Sequence, residues 1–455
     1  MRPLPPLSSA PVQAFLAIAL AALLPAPAAP AQTAPAWGPA QRNRVEKLAA
    51  RWWKARPASY FEEWDPAVRE KLEAEARALG PLPEGAREEL RDLLWDVLRK
   101  QSPKAAKGKI EIDTPYGEAW AYVSGKGKGA PLLLGLHGGG ADAGDASEAK
   151  GNWVLEDALG IYPQAIRLVS DSWNTVHGKR FLLTLIERAK VQNEIDPDRV
   201  LCAGFSMGGT GSWFMAGRHA DLLAGAAPCA GVLMASPKSQ LARKEEVQAV
   251  QHGLLPNVRN LAMYSFIGLD DNNCMPGTFL YVADRMAELR ERDHGGYVKF
   301  RFSAWPGLAH EFPRGEPAGA LAALESERRD ALPACVVWES AAAPFPLPDE
   351  EDLVVRLPKT CFYWLKFAQP ADNQLVRATR KGNAIELELR GTPAGAKGLT
   401  LLLDERLIDP AQDVVVRWRG QELYRGRPQP DVWTVLETLD ARLDRTLAFD
   451  RRVEL

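Results

Sequence analysis

The fold class depends on one stretch, Val200-Leu-Cys-Ala-Gly-Phe-Ser-Met-Gly-Gly-Thr-Gly-Ser-Trp-Phe-Met215. Its first residues are apolar and predict a buried strand, whereas the small residues that follow can open a helix. Between them, Gly204-Phe-Ser206-Met-Gly208 matches G-x-S-x-G, in which a sharp strand-to-helix turn exposes a serine hydroxyl. Glycines flank such a turn because a side chain there would strike the adjoining strand or helix. We therefore predict Ser206 as a nucleophile rather than as part of an ordinary glycine-rich turn.

A second glycine-rich stretch, His137-Gly-Gly-Gly140, follows the apolar segment Pro131–Leu136. Glycines after a buried strand let backbone N–H groups approach a reacting carbonyl and stabilise the oxyanion that forms on it. The candidate donors are the backbone N–H groups of Gly138 and Gly139 and that of Met207, which directly follows the nucleophile. The alternative is a plain turn. The position of this stretch, after a strand and before the nucleophile, favours the oxyanion role.

A serine nucleophile at such a turn requires an acid and then a histidine later in the chain. Of the six histidines, His310 lies in a loop after the predicted strand Tyr297–Phe302, and we predict it as the general base. The acid is expected after the strand Leu261–Ile267, where Asp270 and Asp271 both qualify. Adjacent side chains in an extended segment point in opposite directions, so only one of these carboxylates can face the histidine.

The surroundings of these motifs predict an α/β domain at residues 108–345. Short apolar runs, such as Ala165–Val169 and Ala226–Gly231, alternate there with helical patterns such as Arg180–Asn193. Strands that alternate with helices indicate a mainly parallel sheet with helices on both faces.

The two flanking parts have different patterns. Residues 37–107 are charged and place apolar residues three and four apart, which predicts a helical N-terminal extension. Residues 346–455 contain short segments of alternating polarity that meet at turns such as Lys381-Gly382-Asn383, which predicts a small antiparallel β module.

Residues 1–31 have the features of a secretory signal peptide. Arg2 precedes the apolar run Val12–Leu24, and the stretch ends in Ala29-Pro-Ala31. The run is too short to cross a hydrocarbon core of ~30 Å comfortably. We expect export to the periplasm or the medium after cleavage near Ala31, and no membrane span in the mature chain. The net charge of −2 gives no field that would gather nucleic acid, so we expect no nucleic-acid partner.

At this point the motifs can be compared with a known family. Residues 109–313 resemble the α/β-hydrolase superfamily, especially secreted bacterial esterases similar to polyhydroxybutyrate depolymerases and feruloyl or acetyl-xylan esterases. The resemblance implies a triad of Ser206, Asp271 and His310, with Asp271 rather than Asp270 at the Gly-x-x-Asp spacing from Gly268. One departure is Ile267, where the family often has a histidine. The matching segments are HGGG at 137–140, IDPDR at 195–199, GFSMGG at 204–209, AAP at 226–228, and the acid and histidine loops.

The five cysteines fit no metal-ligand spacing, and their odd number rules out complete pairing within the chain. Cys229 and Cys274 follow strands that are neighbours if the sheet has the hydrolase order, so the resemblance implies that these two could form a disulfide.

These observations predict a serine hydrolase that cleaves a small-molecule or polysaccharide-linked ester without a metal or organic cofactor. Trp173 and Trp305 are candidates to line its site, although each also fits a core position. One alternative is a serine peptidase of the same superfamily. Another is a non-catalytic protein whose C-terminal sheet captures polysaccharide or a surface partner.

Overall fold

The computed structural model describes residues 37–105, 107–115, 117–139, 144–166, 173, 175–231, 255–274, 276–340, 359–370, 374–390 and 397–455. The predicted leader at residues 1–31 lies outside these ranges, as does most of the segment that joins the Ala226 and Leu261 strands. From residue 37 onward, the described chain packs as one compact unit.

The described helices are α1 (Pro39–Ala55), α2 (Pro66–Arg77), α3 (Arg87–Gln101), α4 (Ala146–Asn152), α5 (Val176–Gln192), α6 (Met207–His219), α7 (Pro276–Arg292), α8 (Ala318–Leu324) and α9 (Val432–Asp440). The described strands are β1 (Gly108–Thr114), β2 (Gly117–Gly125), β3 (Leu132–Leu136), β4 (Leu159–Pro163), β5 (Val200–Phe205), β6 (Gly225–Cys229), β7 (Ala262–Gly268), β8 (Phe300–Trp305), β9 (Cys335–Ser340), β10 (Cys361–Phe362), β11 (Leu365–Phe367), β12 (Gln374–Lys381), β13 (Ala384–Leu389), β14 (Leu399–Leu403), β15 (Val414–Trp418), β16 (Gln421–Gly426) and β17 (Arg451–Glu454).

An eight-stranded sheet in the order β1-β2-β4-β3-β5-β6-β7-β8 forms the centre of the molecule. The six strands from β4 to β8 in this order are parallel to one another, whereas β2 pairs antiparallel with both β4 and β1. Every residue of β3 is buried, as expected for a strand that helices cover on both faces. The predicted α/β class with a mainly parallel sheet is confirmed.

Of the strand predicted at Ala165–Val169, residues 167–169 lie outside the described residues, and Ala165 and Ile166 belong to no strand. The strand described just before them is β4, which ends at Pro163. β4 is hard to recognise in the sequence because it contains Gly160 and Pro163, and both residue types weaken a strand pattern. The ring of Tyr162 fills the space beside Gly160, where an added Cβ would lie 2.4 Å from the Tyr162 hydroxyl.

The last strand of the sheet is displaced from its predicted position at Tyr297–Phe302. Tyr297 has a φ of 57°, and its hydroxyl donates to the Pro256 carbonyl at 3.0 Å, so it belongs to a turn. β8 begins at Phe300 and therefore ends at Trp305. This places the end of the strand close to the predicted histidine loop.

Two smaller sheets follow in the chain. One has the order β10-β11-β14-β17, and the other has the order β16-β15-β13-β12-β9. Their pairs are antiparallel except β13 with β15, which is parallel. β9 lies inside the predicted α/β segment 108–345 but pairs with β12 of the second small sheet. The predicted domain boundaries stay a prediction.

The N-terminal helices pack on a helix near the other end of the chain. Trp52 of α1 meets Trp433 of α9 with ring centroids 5.7 Å apart, in an edge-to-face arrangement. Both rings belong to one buried apolar cluster with residues of α2 and α3. The sequence patterns did not predict α9, although its apolar face is the surface on which α1 to α3 lie.

A buried ionic cluster joins α5, the segment after α8 and the segment after α9. The Asp444 carboxylate accepts from Lys190 Nζ at 2.9 Å and from Arg329 Nη1 at 3.0 Å. Burial alone raises the pKa of Asp444, but the two cations outweigh it and hold that pKa well below its usual range. Arg329 also pairs with Asp198 at 2.6 Å. The charges in this cluster are therefore mutually compensated.

We expect Asp444→Asn to lower the free energy of unfolding by about 3 kcal/mol, because it leaves the buried Lys190 ammonium without its carboxylate. Urea unfolding at neutral pH measures this. The control is Asp413→Asn, which breaks an exposed pair with Arg427 and should leave the unfolding midpoint unchanged. Equal stability of the two variants would contradict the structural importance of the buried cluster.

Candidate active site

The turn between β5 and α6 holds Ser206 in a strained conformation, with φ of 57° and ψ of −121°. Its backbone N–H donates to the Cys229 carbonyl at 3.0 Å. A Cβ on Gly208 would lie 2.2 Å from the Leu136 oxygen, and one on Gly204 would lie 2.3 Å from the Gly208 carbon. The helix, β5 and β3 thus approach so closely that only glycine fits at both flanking positions. The G-x-S-x-G turn has the predicted strand-to-helix geometry.

Three predicted side chains form one hydrogen-bonded chain. His310 Nε2 lies 2.8 Å from Ser206 Oγ, and His310 Nδ1 lies 2.8 Å from Asp271 Oδ2. The Asp271 side chain is fully buried, whereas 18% of the His310 side chain is exposed. The imidazole therefore connects a hydroxyl near the surface to a carboxylate in the interior.

The loop after β7 decides which of two adjacent acids faces the histidine. A Cβ on Gly268 would lie 2.1 Å from the Leu308 oxygen, so the acid loop presses directly against the histidine loop. The Asp270 N–H donates to that same oxygen at 3.0 Å, which leaves the Asp270 side chain exposed and turns Asp271 inward. Asp271 Oδ1 accepts from the N–H groups of Asn273 and Cys274, both at 2.8 Å. The carboxylate is held at both oxygens.

The glycine-rich loop after β3 lies beside the serine. An added Cβ on Gly138 would be 3.5 Å from Ser206 Cβ. The ring of His137 lies under this loop: its Nε2 accepts from the Ala165 N–H at 3.1 Å, so its proton is on Nδ1, which donates to the Gly138 carbonyl at 2.8 Å. Burial lowers the pKa of His137, which keeps the ring neutral near pH 7. Gly140 lies outside the described residues.

His137 fixes the direction of a candidate oxyanion donor. In a trans peptide the C=O and the following N–H point in opposite directions. Because the Gly138 carbonyl points to the His137 ring, the Gly139 N–H points away from that ring. The third candidate donor, the Met207 N–H, belongs to the first turn of α6, where backbone N–H groups lack helical partners. The sequence identified His137 only as the first residue of the HGGG motif and did not predict its contact with the Gly138 carbonyl.

The order of the eight strands, with the serine turn after β5 and the acid and histidine after β7 and β8, decides the fold. The chain has the α/β-hydrolase fold.

Similar proteins include esterases, α/β hydrolases of other kinds and a candidate dipeptidyl aminopeptidase of Bacteroides ovatus. NocK of Nocardia uniformis subsp. tsuyamanensis, a candidate esterase, is 29% identical over 121 residues, which are 24% of this chain. The match spans 35% of the length of NocK, about a third. No protein-family model matches the sequence.

Solved structures of α/β hydrolases overlap about half of this chain. A thermostable esterase has 20% identity and a TM-score of 0.36, over 49% of this chain and 62% of its own. The S-formylglutathione hydrolase FrmB of Staphylococcus aureus has 15% identity and a TM-score of 0.34, over 49% of this chain and 98% of its own. The assignment of the α/β-hydrolase fold therefore rests on the strand order of this chain itself. The predicted resemblance to α/β hydrolases is confirmed.

The two tryptophans predicted as possible site residues differ in environment. Trp173 is 1% exposed, and its Nε1–H donates to the His137 carbonyl at 3.1 Å, so it is a core residue beneath the glycine-rich loop. Trp305 is 42% exposed at the end of β8. Its carbonyl accepts from the Leu269 N–H at 2.9 Å, which fixes the end of β8 to the start of the acid loop. Only Trp305 is therefore available to a ligand.

The predicted Cys229–Cys274 disulfide is wrong, since all five cysteines are free thiols. β6 and β7 are neighbours as expected, but the two cysteines pack in different apolar clusters. The Cys274 thiol instead lies close to Ser206. Burial and then the Asp271 carboxylate raise the pKa of this thiol to about 12, against a smaller lowering effect of Ser206. The thiol is therefore protonated near pH 7.

Within the described ranges, the side chains that could share a metal ion are those of Asp271, Cys274 and His310, whose ligand atoms all lie within 4.8 Å of one another. Sequence reasoning missed this group. The available signal was the Asp-x-x-Cys spacing of the acid loop, which lets the Asp271 carboxylate cap the Cys274 N–H. Among the helices that the structure describes, none has both the length and the hydropathy that a membrane span requires.

We expect Gly208→Ala to destabilise the protein by about 1–3 kcal/mol, because the new methyl group would meet the backbone of β3 rather than a flexible side chain. Thermal unfolding followed by circular dichroism measures this. The matched control is Gly277→Ala in α7, where an added Cβ meets nothing within 4 Å and stability should be kept. A Gly208→Ala protein as stable as the control would refute the close approach of α6 to β3.

Proposed function

We propose that this protein is an exported serine esterase that cleaves carboxylic esters through an acyl-enzyme on Ser206. The observation that carries the proposal is the continuous chain from Ser206 Oγ through His310 to Asp271, with both hydrogen bonds at 2.8 Å. The strained turn supports it, because such strain is typical of sites where a side chain must be presented to a substrate.

In the first step, His310 Nε2 takes the Ser206 hydroxyl proton while Ser206 Oγ attacks the ester carbonyl carbon. Asp271 Oδ2 accepts a hydrogen bond from the Nδ1–H of His310. This bond fixes the tautomer in which Nε2 has a free lone pair, and it stabilises the imidazolium as it forms. The imidazolium then gives its proton to the departing alcohol as the C–O bond breaks. This leaves the acyl group on Ser206.

In the second step, water attacks the acyl carbonyl carbon while His310 Nε2 takes a proton from that water. The bond from the carbonyl carbon to Ser206 Oγ then breaks, the imidazolium returns the proton to Ser206 Oγ, and the carboxylic acid leaves. The tetrahedral oxyanion in both steps accepts from backbone N–H groups, for which Gly138, Gly139 and Met207 are the candidates. Loss of one such donor typically costs ~3 kcal/mol of transition-state stabilisation. His137 supports this role, since its bond to the Gly138 carbonyl turns the next N–H away from the core. This chemistry uses groups of the chain itself.

The proposed substrates are small-molecule or polysaccharide-linked esters. The exposed ring of Trp305 supports contact with a sugar or an aromatic acyl group, because either of these can stack on an indole ring. The signal-peptide features of residues 1–31 support export to the periplasm or the medium.

We expect Ser206→Ala to lower the turnover of nitrophenyl esters by roughly 10⁴-fold or more, because the covalent step is lost. The variant should also lose labelling by a fluorophosphonate probe, which reacts only with an activated serine. The control is Ser124→Ala, on a half-buried position of β2, which should keep both activity and labelling. Persistent labelling of Ser206→Ala would end the serine-nucleophile proposal.

We expect Asp271→Asn to lower turnover on the order of 10⁴-fold, because an amide cannot hold the imidazole in the same tautomer. Asp270→Asn should keep most of the activity, since its carboxylate is exposed and faces away from His310. Steady-state kinetics of both variants with the same ester measure the difference. The reverse ranking would assign the acid role to Asp270.

A further inference from the structure

Cys274 is a buried thiol in the candidate active site that the proposed ester hydrolysis does not use. Its side chain lies close to Ser206, and its N–H donates to Asp271 Oδ1 at 2.8 Å. It packs against Ile267 and Phe279, and 7% of the residue is exposed. The proposed hydrolysis assigns no proton transfer or bond to this thiol, so the sulfur calls for a separate explanation.

The thiol completes a set of metal-ligating atoms. One atom each from Asp271, Cys274 and His310 lies within 4.8 Å of the others. Zn²⁺ binds thiolate sulfur at about 2.3 Å and imidazole nitrogen or carboxylate oxygen at about 2.0–2.2 Å in a tetrahedron. Ligand atoms in such a tetrahedron are roughly 3.3–3.8 Å apart, by the geometry of those bond lengths. Side-chain movements of about 1 Å therefore convert the observed cluster into three ligands of one zinc ion, with the fourth position left to solvent.

The charges of the three groups suit a divalent ion. The Asp271 carboxylate is fully buried, and a bound metal ion deprotonates a coordinating thiol. One carboxylate, one thiolate and one neutral imidazole give two negative charges, which cancel the charge of Zn²⁺. The only proton released to solvent is that of the thiol, because the imidazole keeps its single proton. The loaded site would therefore bury no net charge.

We propose that Asp271, Cys274 and His310 form an inhibitory site for Zn²⁺ and similar soft divalent cations. Ligation at either imidazole nitrogen removes the base. A metal ion on Nε2 occupies the lone pair that accepts the Ser206 proton, and a metal ion on Nδ1 drives the proton onto Nε2. The metal site stands on the geometry of the cluster, whereas its effect on turnover rests on the proposed esterase function.

The first experiment measures ester turnover against Zn²⁺ concentration, on protein without a polyhistidine tag and normalised to each variant's own metal-free rate. We expect inhibition of the wild type that a chelator reverses, and none by Mg²⁺, which prefers oxygen ligands. Cys274→Ala and the near-isosteric Cys274→Ser should raise the half-inhibitory Zn²⁺ concentration at least about tenfold, since even the loss of an outer partner costs ~10–100-fold in metal affinity. The matched control is Cys335→Ala, also at a cysteine that is 7% exposed, which should behave as wild type. Equal Zn²⁺ sensitivity of all four proteins would overturn the proposal.

The second experiment does not depend on catalysis. Co²⁺ is titrated into the wild type and into Ser206→Ala, and the near-ultraviolet charge-transfer absorption of a cobalt–thiolate bond is recorded. We expect this absorption in both proteins and in Cys335→Ala, and its loss in Cys274→Ala. Cobalt binding without the thiolate absorption would overturn the metal site. Thiolate absorption in a protein without esterase activity would keep the metal site and reject the proposed function.

Discussion

The turn at Ser206 is the constraint on which the site is built. A non-glycine residue at φ of 57° costs on the order of 1–3 kcal/mol, and such strain persists only where the surroundings over-determine it. Here β5 is bonded between β3 and β6, the serine N–H is held by the Cys229 carbonyl, and α6 starts at the next residue. At Gly208 the start of the helix lies so close to β3 that no space is left between them. The hydroxyl is therefore presented at the carboxyl edge of the sheet.

The other groups reach this point because parallel strands end at the same edge of a sheet. The glycine-rich loop follows β3, the acid follows β7 and the histidine follows β8. His310 is 39 residues from Asp271 and 104 from Ser206 along the chain, yet it bonds to both. A rigid sheet that supports short loops is the arrangement that holds such distant residues to hydrogen-bond distances.

Buried carboxylates in this protein are stabilised in two different ways. Asp444 is compensated by the cations of Lys190 and Arg329, and the cluster joins the central sheet domain to the C-terminal segment. Asp271 has two backbone N–H donors and the His310 imidazole instead. A carboxylate without a full cationic partner can stabilise positive charge that develops on its neighbour, which is what a general base requires. The same uncompensated charge makes the Asp271 site attractive to a metal cation.

The sequence by itself determined the features that depend on local geometry. The G-x-S-x-G turn needs small residues within one strand-to-helix junction, so the positions of Ser206 and its glycines follow from adjacent residues. Buried strands such as β3 and β5 followed from continuous apolar runs, whereas Gly160 and Pro163 hid the pattern of β4 and the buried strand β9 was not predicted. Only the tertiary structure decided the relations between distant segments. Asp271 rather than Asp270 faces His310 because Gly268 presses on the Leu308 carbonyl, a contact across about forty residues of chain. Cys274 lies close to Ser206 and α9 packs on α1 for the same reason. No local pattern shows which distant surface a side chain meets once the sheet has formed.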